Sequence, residues 1–465
     1  MKPTTRRTAR TRRAPARASA SAVTVRMYNV GFGDCFLLTF PAPDRPRKVL
    51  VDCGVHAAGP PKPVPFAEVV KKLIADVVEP GGPRIDLVVC SHRHRDHVLG
   101  FDNGDQWRDV RVDEVWMPWT EDEKDPEARR IREAQAKKAR DLALALRRML
   151  ALGRIDQGGF DRIQAVVANS DLTNAKAMDT LHRGFAGGAV RRFLPEKLAD
   201  GKTLARTADT KVLPGVRVHV LGPSRNPDVI REMDPPSDES FLRLASAAEG
   251  GAPDGPPLSL ADWALSPAGD ALCPWFMQRY AEAKELPDNP SFDHPPRSDE
   301  YAAAWLRTAD LKWPDLEKLD QLTEDDALLA AAAIDQAVNG TSLMLAFEMG
   351  RALLLFPGDA QWGTWNEALR DPEWSKLLSR VTFLKVGHHG SHNATPQSFV
   401  KLLGDDHPVA MVSTRETKRF QDIPRKPLLA ALEKATSALA RSDEQAAHAP
   451  FRQVSPVAVE TTIPT

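Results

Sequence analysis

Cysteine is scarce. The 465-residue chain has four, Cys35, Cys53, Cys90 and Cys273, and no CxxC pair. That excludes a disulfide framework and leads us to expect a reducing, cytoplasmic setting. Three of the four stand in apolar strand-like runs, where a thiol packs as a small hydrophobe. No apolar run approaches the roughly 20 residues a bilayer-spanning helix needs, so no membrane association is expected. An excess of charge is missing too: 62 basic residues face 63 acidic ones, a formal net charge of -1. Attraction of the whole molecule to nucleic acid is therefore not indicated, and any such binding must come from a local patch. No internal repeat is visible. What is present, 42% hydrophobic and 27% charged residues, suits a globular body with a sizeable core. The length allows one large domain with insertions, or two to three ordinary domains.

Residues 1–22 depart from this balance. They are rich in Arg, Ala, Thr and Ser, contain no acidic residue, and lack the apolar stretch of a secretory signal. Their composition predicts a disordered basic tail. A basic arm of this kind could touch nucleic acid or an acidic partner.

The stretch richest in chemistry follows the apolar run Ile85 to Cys90: Ser91-His92-Arg93-His94-Arg95-Asp96-His97. In an extended backbone, side chains two apart point the same way, so His92 and His94 can approach one ion together. Asp96 and His97 come where the chain can wrap and offer a second pair. Imidazole and carboxylate suit zinc, manganese or iron. A lone histidine is usually a core or solvated residue; four potential ligands at the mouth of a strand are hard to explain without metal.

Two later stretches carry the same residue types. Asp359 follows an apolar strand-like run and Gly358, where a buried carboxylate would be costly without a partner. His388 and His389 follow the run Val381 to Val386 within Gly387-His388-His389-Gly390-Ser391. His182, in the helical pattern Asn174 to Phe185, reads as structural, and His294, just before two prolines, as a loop residue.

Alternation predicts a half-buried strand at Val23–Val30, and strand-like runs stand at Phe36–Phe40, Lys48–Gly54, Val112–Trp116, Arg162–Asn169, Val216–Leu221, Val381–Val386 and Pro408–Ser413, with a hairpin at Thr341–Phe356. Helical spacing appears at Phe66–Val78, in one or two helices within Glu121–Leu152, at Trp362–Leu369, and at Lys426–Ala440. Residues 226–335 change character. Prolines and acidic residues are frequent, and short helical pieces at Tyr301–Leu311 and Leu322–Ala333 interrupt the segment. This predicts a partly irregular insertion or cap. The expected organisation is thus a basic tail (1–22), an N-terminal half (23–225), the insertion (226–335), a C-terminal half (336–440) and a loose tail (441–465).

The His-x-His-x-Asp-His pattern after an apolar strand resembles the signature of the metallo-β-lactamase superfamily. Val30-Gly31-Phe32-Gly33-Asp34, Val51-Asp52-Cys53-Gly54 and His388-His389-Gly390-Ser391 look most like its branch of DNA-uptake (competence) nuclease-like domains. The resemblance covers roughly Val23–Glu114 and Val338–Leu432. It implies an α+β, four-layer αββα sandwich and a metal-dependent hydrolase, a phosphodiesterase or nuclease using metal-activated hydroxide. It also implies one or two Zn²⁺ ions, with Mn²⁺ as the alternative. The implied ligands are His92, His94, Asp96, His97, Asp359 and His388, with Asp359 between two ions and Asp96 and His389 catalytic. The roles of His388 and His389 are interchangeable at this level. In that branch Asp34 and Asp52 would support the site, and turn chemistry explains them equally well. Relatives of this type offer a further histidine in a Gly-His-Pro context. Here Arg419-Phe420-Gln421-Asp422-Ile423-Pro424 has none, and Asp422 is the only carboxylate available as a substitute. Substrates in reach are DNA, RNA, a nucleotide or a phosphorylated small molecule. The other readings are a β-lactam or thioester hydrolase, and a metal-bound regulatory protein without turnover.

Overall fold

The computed structural model describes residues 21–56, 64–169, 174–226, 229–230, 232–236, 238–241, 324–391, 393–403, 407–416, 423–444 and 448–465. Two sheets form the centre. The first contains β1 (Ala22–Tyr28), β2 (Cys35–Phe40), β3 (Arg47–Cys53), β4 (Val78–Glu79), β5 (Gly82–Val89), β6 (Arg111–Pro118) and β7 (Val190–Leu194). The second contains β8 (Arg217–Gly222), β9 (Met344–Met349), β10 (Ala352–Phe356), β11 (Phe383–Lys385), β12 (Val409–Val412) and β13 (Ala438–Arg441). The chain then returns to the first sheet with β14 (Arg452–Ser455) and β15 (Ala458–Pro464), and β15 lies antiparallel to β1.

Alternation along the strands decides the layering. Val25, Phe36, Leu38, Val49, Val51, Leu87 and Val89 project from the first sheet into one core with Leu345, Phe347, Leu354, Phe356, Phe383 and Met411 of the second. The rings of Phe36 and Phe356 meet edge to face at 5.7 Å, a geometry worth about 0.5–1.5 kcal/mol beyond the area it buries. The residues between, pointing outward, need cover of their own.

Helices provide that cover. On the first sheet, Leu37, Leu50, Ile85 and Val88 pack against α1 (Phe66–Asp76) and against the neighbourhood of α2 (Arg95–Val98) and α3 (Gly104–Trp107). Two longer helices follow, α4 (Pro126–Ala151) and α5 (Gln157–Asn169), and then α6 (Ala175–Arg183), whose Met178 and Leu181 join the same core. α7 (Glu324–Asn339) precedes β9. On the second sheet, Ala346, Leu353, Leu355 and Leu384 pack against α8 (Trp362–Arg370), α9 (Pro372–Leu378), α10 (Gln397–Leu402) and α11 (Lys426–Ala435). The order is helices, sheet, sheet, helices, a mixed α/β arrangement compatible with an α+β sandwich.

Local chemistry explains the boundaries of α4. Asp125 accepts from Glu127 N at 2.9 Å and Ala128 N at 3.2 Å, and Pro126 starts the helix where no N–H is needed. It ends where Gly153 takes φ +64° and Arg154 N bonds Met149 O at 2.8 Å, a Schellman stop. The Glu121–Leu152 pattern is therefore one helix of 26 residues. Leu142 and Leu146 of α4 meet Ile163 of α5 and Ala327, Ala331 and Ile334 of α7 in a satellite core.

The structure differs from the expectations at several places. Arg162–Asn169 is not a strand but the body of α5. Asp156 Oδ1 accepts from Gly159 N at 2.6 Å at its start, and Phe160 and Ile163 pack on α4 and α7 at helical spacing. Lys426–Ala440 is a helix only to Ala435; Ala438–Arg441 instead pairs in parallel with β12. β7, which pairs in parallel with β6, was not foreseen. The segment expected as a loose tail from residue 441 contains β14 and β15, with Ala458, Val459 and Ile463 buried. Register decides this last case, because every residue from Ala22 to Tyr28 has a partner in β15. β8, placed in the N-terminal half, belongs to the second sheet. The basic tail up to residue 20, most of the expected insertion, His294, Cys273 and Asp422 lie outside the described residues. Among the described residues, no helix is long and apolar enough to cross a membrane.

Candidate metal centre

The loops leaving the carboxyl ends of β3, β5, β10, β11 and β12 converge at one end of the sandwich. Each brings a short run of polar residues that the packed strands hold in place. Asp52 ends β3, Ser91 to His97 follow β5, Asp359 follows β10, His388 and His389 follow β11, and Ser413 follows β12. Helix α2 carries Asp96 and His97 inward.

Close backbone approach makes this convergence possible. A Cβ on Gly54 would lie 2.3 Å from both Asp96 C and His97 N, so only glycine lets the end of β3 touch α2. Gly358, at φ +58°, is similarly confined by Leu343 O and Ser91 Cβ at 3.0 Å each. Asp52, His388 and His389 take φ of 56°, 45° and 53°. Left-handed backbone at three non-glycine residues costs roughly 1–3 kcal/mol each and tends to gather at functional sites.

The contacts span the chain. His389 Nε2 lies 3.1 Å from Asp96 Oδ2, and His97 Nε2 lies 3.1 Å from Asp359 Oδ2. His92 Nε2 faces His94 Nδ1 at 3.0 Å, and the rings of His92 and His97 are 4.1 Å apart. His92, His97, Asp359 and His389 are fully buried, His94 is 1% exposed and Asp96 3%. Among the described residues, ligand atoms within 4.8 Å of one another form three groups: His92, His97 and Asp359; Asp96, His97 and His389; and Asp34, Asp52 and His97. These groups could hold a metal ion.

A second ring of contacts orients the imidazoles. His389 Nδ1 is 2.8 Å from the Ser413 carbonyl, which can only accept, so Nδ1 carries hydrogen and Nε2 faces Asp96. Asp52 accepts from Ser91 N and Ser91 Oγ at 2.7 Å each, and its Oδ2 lies 2.9 Å from His97 Nδ1. Lys385 donates to Gly358 O at 3.1 Å, lies 3.4 Å from Asp359 Oδ1 and forms an ion pair with Asp34. His388 N donates to Asp359 Oδ1 at 3.0 Å.

Electrostatics points to a cation here. Burial pushes Asp96 and Asp359 upward, yet His97 and its neighbours outweigh that and hold both carboxyls well below their usual range. Burial disfavours a charged His97, but Asp359, Asp52 and Asp96 raise it well above an ordinary histidine. Burial, reinforced by neighbouring imidazoles, lowers His92; burial likewise lowers His94, against the pull of Asp335 and Asp96. Burial disfavours a charged His389 as well, but the hydrogen bond to Asp96 and the charges of Asp34 and Asp359 raise it. The set is thus ionised carboxylates with neutral His92 and His94, and a metal bound there would displace the protons that His97 and His389 hold. Asp96 Oδ1 is buried with no hydrogen-bond partner, a cost that a bound cation removes.

Of the expected residues, His92, Asp96, His97, Asp359 and His389 fall in these groups; His94 joins none of them, and its Nδ1 lies beside them at 3.0 Å from His92 Nε2. His388, whose role the sequence left interchangeable with that of His389, stands apart. It joins none of the ligand groups; it is half-buried, with Nδ1 3.1 Å from Asn393 Oδ1 and 2.9 Å from Ser391 Oγ. The left-handed turn at both histidines directs the second, not the first, toward Asp96. Asp34 and Asp52 stand inside the cluster, beyond mere turn chemistry: Asp34 faces His389, Asp52 faces His97, and with His97 they form one of the groups above. Lys385 was missed; its signal was a lysine within the apolar run Val381 to Val386. His182 packs on Phe193 and joins none of these groups.

Compared with models of known protein families and with curated proteins, the chain matches none.

Proposed function

We propose that the protein is a metal-dependent hydrolase of the metallo-β-lactamase superfamily, acting on a phosphodiester. The observation that supports this most is the meeting of three separated motifs. Asp96 contacts His389 and His97 contacts Asp359, each at 3.1 Å. The sheet-on-sheet sandwich covered by helices is compatible with the superfamily's αββα layering. The choice of phosphodiester rests on likeness of the His-His-Gly-Ser element to nuclease-like domains, which is analogy.

The nitrogen and oxygen donors suit zinc, with manganese the alternative. His92, His94 and Asp359 would hold a first ion. Asp96, His97 and His389 would hold a second, with Asp359 positioned between the sets. When bound, such ions supply Lewis acidity, lower the pKa of water to about 7 and offset phosphate charge.

The protein's own residues do the rest. Asp52 and Ser413 keep His97 and His389 turned with Nε2 inward. Lys385 and the His388 N–H fix one oxygen of Asp359 and leave the other facing His97. His388 keeps Nδ1 on Asn393 and Ser391 and is half-buried beside Asp359. On this reading it would give a proton to a leaving oxygen. The histidine absent from residues 419–424 is then not needed, because His389 supplies the second set with its imidazole.

The test is a metal analysis of the purified chain, followed by bis-p-nitrophenyl phosphate, single-stranded DNA, nitrocefin and a thioester, each with Zn²⁺ or Mn²⁺. Turnover of the first two alone supports the proposal. Turnover of nitrocefin or the thioester alone replaces it with the other hydrolase reading. Stoichiometric metal with no turnover replaces it with a regulatory protein.

A further inference from the structure

We propose that Asp335 of α7 is a positioning residue for His94 and so ties that helix to the metal centre; the inference rests on the metal-binding reading above. His92 Nε2 and His94 Nδ1 face each other at 3.0 Å. The nitrogen of His94 turned toward the shared ligand space is therefore Nδ1. Its Nε2 is buried without a hydrogen-bond partner, on a side chain 1% exposed. Oδ1 of Asp335 lies 3.6 Å from that nitrogen. Oδ2 of the same carboxylate accepts from the Asn339 side chain at 3.4 Å, one turn further along α7.

An imidazole that offers Nδ1 as a ligand carries its hydrogen on Nε2. A buried N–H needs an acceptor, and ligating histidines usually give theirs to a carboxylate or a carbonyl. Asp335 is the acidic group facing this one. At 3.6 Å the contact is an ion-pair separation and not a formed hydrogen bond. Closing it takes about 0.6 Å, the scale of ordinary side-chain displacement.

The helix that delivers Asp335 is firmly seated. Ala327, Ala330, Ala331 and Ile334 pack on α4 and α5, and Ala337 joins Trp119 and Ile131. α7 thus does more than cover the sandwich: its carboxylate holds the His94 ring in the tautomer and orientation a metal requires.

The experiment is zinc affinity of the full chain by competition with a chromophoric chelator, with the visible spectrum of the Co²⁺-loaded protein beside it. Asp335→Ala is expected to weaken zinc by about 10–100-fold. Asp335→Asn, whose amide oxygen still accepts from Nε2–H, should lose less and should keep the wild-type cobalt spectrum. Wild-type affinity in Asp335→Ala overturns the inference. A cobalt spectrum in Asp335→Asn that shows a lost ligand also overturns it, because Asp335 would then bind metal directly. A wild-type chain that binds no zinc overturns the metal reading itself, and that result is seen before any variant is made.

Discussion

Lys385 offers the sharpest test of how the centre is assembled. It is 2% exposed, pairs with Asp34 and lies 3.4 Å from Asp359 Oδ1. Burial alone would strip its charge, but Asp34 and Asp359 raise its pKa above that of a free lysine. Lys385→Met keeps much of the stem volume and removes the charge. Asp359 retains the His388 N–H at 3.0 Å and His97 at 3.1 Å, so the loss falls mainly on Asp34. Breaking a buried pair by removing one partner costs about 3–5 kcal/mol, and the remaining support for Asp359 puts the expectation near the lower end. Urea unfolding of metal-stripped protein, followed by tryptophan fluorescence, should show a lower midpoint at unchanged slope. Asp34→Asn in the same background removes the stranded charge and should restore part of the loss. The coupling between the two positions should then be about 1–3 kcal/mol. If the two changes add within about 0.5 kcal/mol, the Lys385–Asp34 pair is not what holds this corner, and the reasoning fails.

Other outcomes follow from the same contacts. His94→Ala should lower both metal content and activity; full occupancy by elemental analysis would contradict its assignment as a ligand. Asp359→Asn should reduce turnover at least about 100-fold while shifting the unfolding midpoint little, and an unchanged rate would count against its bridging role. Ile463→Ala, in β15 at 3% exposure, should cost about 2–5 kcal/mol; a neutral result in thermal unfolding would return the C-terminal segment to a loose tail. Asp371 starts α9 by accepting from Glu373 N and Trp374 N and pairs with Arg206, which lowers its pKa to about 2. Its stabilisation is present above the unfolded value near 3.8 and is lost as pH falls toward 2. Because the pair is partly exposed, Asp371→Ala should cost only about 1 kcal/mol at pH 7, a difference that should shrink across pH 4 to 2 in parallel melts.

Much of the centre was legible in the chain because its first part is local. His92, His94, Asp96 and His97 lie within six positions, and covalent spacing after a strand already brings them near one another. Alternation likewise placed β1, and apolar runs placed β2, β3, β9 and β10, since a strand buried on both faces reads as a near-continuous hydrophobic stretch. α5 was misread for the opposite reason: Phe160 and Ile163 look apolar in either period, and only α4 and α7 select the helix. β15 gave too weak a pattern to be recognised without β1 to complete its ladder.

Residue types and short-range spacing set which chemistry is available here: imidazoles, carboxylates and the glycines that let backbones touch. Tertiary structure chose among equals. It turned His389 rather than His388 toward Asp96 through two left-handed residues and the Ser413 carbonyl just after β12. It set Lys385 against Asp34, and it laid Asp335 beside His94. Each of these depends on which strand or helix lies beside which, and such pairings are decided by burial summed over the whole sandwich, a quantity that no stretch of neighbouring residues contains.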